Sequence, residues 1–196
     1  MPDLFDPIKI RSVTFPNRIA VSPMVQTSSK DGFAEDWHLV HLGSRAVGGA
    51  GLVITEATAI QKKGRISPND LGIWKDAHIP KLKKIASFIK QQNSVAGIQL
   101  AHAGRKGSYS SPLDKNGLAH LKPLPISKGG WETIAPSSIP FEINASPPKE
   151  MNIQDISFNE EYPVFVTENS RHTFDKVVIA CGAFSKKLTD KLDEKI

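Results

Sequence analysis

A chain of 196 residues with 39% hydrophobic and 23% charged side chains has the composition of a globular protein, not of a disordered or fibrous one. The net charge of +5 invites a nucleic-acid partner, but the basic clusters carry no interleaved aromatic residues and read as solvated surface. No apolar run approaches the ~18 residues that span a bilayer, and the opening Met-Pro-Asp-Leu-Phe-Asp lacks the basic and apolar regions of a secretion signal.

Ile8-Lys9-Ile10 and Val13-Thr14-Phe15 alternate around Arg11-Ser12, the pattern of a short hairpin. A strand is expected at Arg18–Val21, ended by Ser22-Pro23. A helix follows from Asp36, its expected cap, to about Val47, where Gly48-Gly49 stops it. His38 and His41 share one face of that helix; two ligands without a third convergent donor make no metal site, so a structural or surface role is expected. Gly48-Gly49-Ala50-Gly51 follows a helix and precedes a strand, the reverse of a dinucleotide fingerprint, and reads as a cap and tight turn.

Leu52–Thr55 is a continuous apolar run suited to a strand buried on both faces. Lys62, Lys63 and Arg65 read as one solvated loop. A second helix is expected from Ile79 to Gln92, with Pro80 in its first turn and Leu82, Ile85, Ala86 and Ile89 on one face. Val95–Leu100 is a third buried strand. Strand, helix, strand, helix, strand in this order demands a parallel sheet.

Residues 101–150 show no periodicity and are rich in proline, so they read as a long loop. Asn152 then resembles the cap of a fresh helix, with Asp155 in its first turn. That helix is not completed: Tyr162–Thr167 supplies a strand, Glu168-Asn169-Ser170 a turn, Lys176–Ala180 another strand and Ser185–Leu192 a short helix. Cys181, the sole cysteine, forms no intrachain disulfide and reads as a small buried hydrophobe in a reducing cytoplasm.

In parallel β/α proteins the active site forms at the carboxyl ends of the strands. Those ends are Ser22-Pro23-Met24-Val25, Glu56-Ala57, and Gln99 with His102. Three segments in the same order resemble the old yellow enzyme family: Asn17–Met24, Gly51–Ala59 and Gly97–Lys106. Gly64-Arg65-Ile66, Leu71–Trp74 and Gly130–Ser137 are similar to its bacterial, xenobiotic-reductase-like branch.

The resemblance implies that Ser22, Pro23, Met24 and Val25 line an FMN ring, that Ala57 packs beside it, and that the Gln99 amide bonds its pyrimidine edge. It implies hydride transfer from NADPH or NADH through FMN to an activated alkene. Val25 stands where this branch usually has a cysteine, and Thr27, the expected substrate contact, where it usually has a tyrosine. The family's substrate-activating His with His or Asn belongs to a fourth strand that this sequence does not show, so no catalytic residue is assigned; His102 belongs to the third-strand segment and cannot replace the pair.

Asp175–Ser185 resembles a fragment of the FAD-dependent D-amino-acid dehydrogenase family. The expected fold is therefore α/β: about three of the eight strands of a (β/α)8 TIM barrel over residues 1–156, then a short βα fragment of a different fold over 157–196. The expected function is that of a cytoplasmic FMN-dependent NAD(P)H:flavin oxidoreductase, or ene-reductase. The alternative is a non-catalytic, truncated fusion product of two flavoenzyme genes. Beyond a small-molecule alkene, the expected partner is a second copy meeting the open sheet edges, with no nucleic acid, membrane or metal.

Overall fold

The computed structural model describes residues 2–112 and 121–151, and the backbone of 153–159, 162–167 and 170–173. Strands β1 (Ile8–Ile10) and β2 (Val13–Phe15) form the expected hairpin, and Arg11 turns the chain at φ 54°. Strand β3 is confined to Ala20–Val21, shorter than its apolar run. Asn17 takes over the positions before it: its amide Nδ2–H donates to the Gly49 carbonyl at 2.8 Å and its Oδ1 accepts the Ile19 N–H at 3.0 Å.

Helix α1 (Asp36–Val47) begins one residue after its cap, which is Glu35 and not the expected Asp36. Glu35 N–H donates to His38 Nδ1 at 3.0 Å, so an imidazole does the work expected of a carboxylate. Asp36 sits in the first turn, where its charge favours the helix dipole. Gly48 and Gly49 end the helix as expected, Gly49 in the left-handed region at φ 90°.

Strand β4 (Leu52–Ala59) continues past the expected end at Thr55, which places Glu56 and Ala57 inside the strand and not after it. Helix α2 (Ile79–Gln91) carries Pro80 in its first turn and buries Ile85 and Ile89. Strand β5 is Val95–Ala101. The three strands form one parallel sheet in the order β3-β4-β5, with Val21 beside Val53 and Val53 beside Ala96.

The core lies between one face of this sheet and the two helices. Leu42 and Ala46 of α1, Ile85 and Ile89 of α2, Val53 of β4 and Leu71 form one buried cluster. Burial of each large aliphatic side chain contributes about 1.5–3 kcal/mol. Among the described residues the opposite face has no such cover: Leu52, Ile54 and Gly97 are only half-buried there. No described strand pairs the far side of β5, where Leu100 is 62% exposed.

The described residues of the loop expected over 101–150 are mostly irregular, with a two-residue parallel pairing between β6 (Ile134–Ala135) and β7 (Lys149–Glu150). The loop is anchored on Arg65, which the sequence placed on the solvated surface. Arg65 is only 7% exposed. Its guanidinium lies 5.3 Å from the Trp74 ring centroid and 4.9 Å from that of Trp131. Nε–H donates to the Lys62 carbonyl at 2.9 Å and Nη1–H to that of Pro68 at 2.8 Å. Lys62, by contrast, is exposed as expected.

A second correction concerns Asn152–Asp155. The expected helix is replaced by strand β8 (Ile153–Asn159), antiparallel to β9 (Tyr162–Thr167), which pairs in turn with β10 (Ser170–Thr173). A helix nucleus of a few residues is unfavourable alone, and the β-rich 162–167 segment offers a pairing partner at once. Strand β8 runs unbroken through Ile156-Ser157-Phe158. The expected strand at Lys176–Ala180, Cys181 and the helix at Ser185–Leu192 lie outside the described residues.

Candidate active site

The register of the parallel sheet decides which side chains meet. Val53 faces the helices, and Thr55, Ala96 and Ile98 line a groove against α2. Strand alternation then turns Gln99 to the opposite, open face. Ala57 is the direct partner of Gln99 in the β4–β5 ladder, so both occupy that face side by side. The match is made by a bulge between Thr55 and Ala57, with Glu56 as the extra residue.

Ser22 and Pro23 follow directly on β3, whose Val21 pairs with Val53. Met24 and Val25 continue the segment with 45% and 41% of their surface exposed. The segment is tied down by Gln26. Its side-chain Nε2–H donates to the Met24 carbonyl at 2.8 Å, its Oε1 accepts Trp37 Nε1–H at 3.0 Å, and its backbone N–H donates to Glu56 Oε2 at 3.1 Å. Nothing in the periodicity of the sequence marks Gln26.

Thr27 is half-buried at φ 48°, a left-handed conformation that costs a β-branched residue of order 1–3 kcal/mol. Its hydroxyl donates to the adjacent Gln26 carbonyl at 2.8 Å. The His102 ring packs on Gly64 and its Nδ1 accepts the Gly104 N–H at 3.1 Å. His38 and His41 are both buried in the base of α1, a structural placement. Burial lowers the His41 pKa, and the Arg45 charge adds to that effect. Among the described residues no cluster of three His, Cys, Asp or Glu side chains could hold a metal, and no helix is long and apolar enough to cross a membrane.

The donor set fits the edge of a planar aromatic group. Ala57 is small enough to lie under a ring, Met24 and Val25 supply exposed apolar surface, and the exposed Gln99 amide both donates and accepts. Among the described residues no side chain competes for that amide.

The sequence matches the NADH:flavin oxidoreductase / NADH oxidase family over residues 3–179. The chain belongs to that family. Within the family, an NADH:flavin oxidoreductase of Gibberella zeae is 48% identical over 157 residues, covering 78% of this chain and 37% of the relative. An NADPH dehydrogenase of a Geobacillus species is 44% identical over 155 residues, covering 78% and 40%. This member of the family therefore spans less than half the length of the curated relatives it matches. Among solved structures, morphinone reductase superposes with a TM-score of 0.61 at 26% identity, covering 77% of this chain and 40% of the other. The old yellow enzyme of Pichia sp. AKU4542 gives 0.60 at 25% identity, covering 76% and 37%.

Proposed function

We propose that residues 1–156 form the flavin-facing N-terminal part of an FMN-dependent NAD(P)H oxidoreductase barrel. The observation that carries this reading is the Ala57–Gln99 pair on the uncovered sheet face, flanked by the exposed Met24-Val25 segment. Ser22–Val25 would border the ring with backbone groups and the Met24 side chain, Ala57 would lie beneath it, and Gln99 would bond its polar edge. FMN, when bound, supplies hydride transfer between a nicotinamide and an activated alkene. The named residues would bind and orient the ring; the Thr27 hydroxyl donates to the Gln26 carbonyl of its own loop.

The β3-β4-β5 sheet supplies three parallel strands where a barrel closes with eight, and the substrate-activating pair implied by the family resemblance belongs to a fourth. Turnover is thus proposed for the assembled barrel. A second copy meeting the open edges of β3 and β5 is the proposed partner, and a cytoplasmic setting the proposed location.

A second reading is a non-catalytic fusion of two flavoenzyme sequences joined near 157. It draws on the separate antiparallel sheet β10-β9-β8, where a barrel would continue in parallel strands, and on the resemblance of 175–185 to an amino-acid dehydrogenase. The two readings part in an anaerobic assay with FMN, NADPH and a cyclic enone. Enone-dependent NADPH oxidation that weakens in Gln99→Ala supports the first. No turnover at any protein concentration, with the chain folded, supports the second.

A further inference from the structure

The bulge in β4 has a consequence for the open face. Without the extra residue, strand alternation would place Ala57 with Val53 and Thr55 on the helix side. The bulge returns Ala57 to the open face and carries the Glu56 side chain toward α1, where it is 3% exposed. A carboxylate is costly to bury unless it is bonded, and here it has a specific set of neighbours. Oε2 accepts the Gln26 N–H at 3.1 Å and lies 3.8 Å from His38 Nε2; Oε1 has no partner among the described residues.

His38 is itself oriented. Because Nδ1 accepts the Glu35 N–H, the ring proton resides on Nε2, which faces Ser29 Oγ at 3.3 Å and the Glu56 carboxylate. One side chain thus ties together the start of α1, the bulge that aims Ala57, and the Gln26 amide that closes the Met24-Val25 segment.

We propose that Glu56 is a positioning residue for the flavin face: its buried carboxylate fixes the Met24–Thr27 backbone against the β4 bulge. The proposal rests on the FMN reading above, and it acts through a hydrogen-bond acceptor, not through charge. Glu56→Gln keeps an acceptor at Oε2, whereas Glu56→Met keeps the volume and removes it.

The test pairs amide hydrogen exchange with FMN titration. In the unliganded wild-type chain the Gln26 amide is expected to be protected; Glu56→Met exposes it while the amides of α2 keep their protection, and Glu56→Gln retains it. FMN binding is expected to weaken about tenfold in Glu56→Met and to stay within about threefold in Glu56→Gln. Unchanged Gln26 protection in Glu56→Met would overturn the proposal, as would equal FMN weakening in both variants, which would assign the effect to charge. If the wild-type chain takes up no FMN, the FMN reading fails separately, and the Gln26 amide alone decides the role of Glu56. Should Glu56→Met not fold, loss of Gln26 protection in Glu56→Gln would overturn the proposal.

Discussion

His78 Nε2 lies 3.1 Å from the carbonyl oxygen of Asp31, which fastens the loop after β3 to the turn that opens α2. The imidazole is buried edge-on between Phe33 and Trp74, at centroid distances of 4.6 and 4.7 Å, and its Nδ1 has no partner among the described residues. A second proton would have to enter that apolar sandwich. Burial accordingly lowers the His78 pKa from its ordinary 6.5, with the Asp31 carbonyl bond opposing the shift.

A histidine whose pKa is lower folded than unfolded adds stability that is complete above the unfolded value and fades as pH falls through the folded one. Denaturant midpoints should therefore be flat above the ordinary 6.5 and decline below it. His41, lowered in the same direction, adds to the slope. His78→Gln is expected to flatten the decline; an unchanged slope would show that His78 does not titrate on unfolding.

Arg65 between Trp74 and Trp131 joins the 61–75 and 101–137 loops. Two cation–π contacts and two bonds to carbonyls would each be lost in Arg65→Ala, for about 2–4 kcal/mol in all. Arg65→Lys keeps the charge but not the planar fork, and recovers less than half of that. Urea midpoints of the two variants check the order.

The uncovered edge of β5 predicts concentration-dependent self-association of the chain. Leu100→Lys places a charge on that edge, the usual protection of an edge strand, and should lower the associated fraction in light scattering. Its stability should change by no more than about 0.5 kcal/mol, as at any exposed site. A sharp monomeric species in the wild type at high concentration would refute the edge as a contact surface.

Much of the scaffold was legible because it follows local rules. Leu82, Ile85 and Ile89 announce α2, Pro80 its first turn, and Gly48-Gly49 the end of α1. What escaped depends on partners distant in sequence. The bulge at Glu56 exists only against the register of β5, and burial of Arg65 needs Trp131 from another loop; the cap at Glu35 is local, but it uses the His38 ring three residues on in place of a carboxylate. The helix expected at Asn152 gave way to pairing of β8 with β9, a choice that local propensity does not contain. Ala57 and Gln99 stand out by their place at the strand ends and gain flavin roles from the resemblance, whereas their direct pairing emerges only from the ladder. Gln26, which holds the segment between them and α1, left no mark in the sequence pattern.

The claim that matters most is that the open face takes FMN. Its most direct test is the visible absorption spectrum of the chain after incubation with FMN and gel filtration, with the released flavin identified by chromatography. The account predicts a retained flavin band carrying FMN, and weaker retention in Gln99→Ala by about fivefold, the loss of one neutral hydrogen bond. A folded chain that emerges colourless, or that carries FAD in place of FMN, would contradict it.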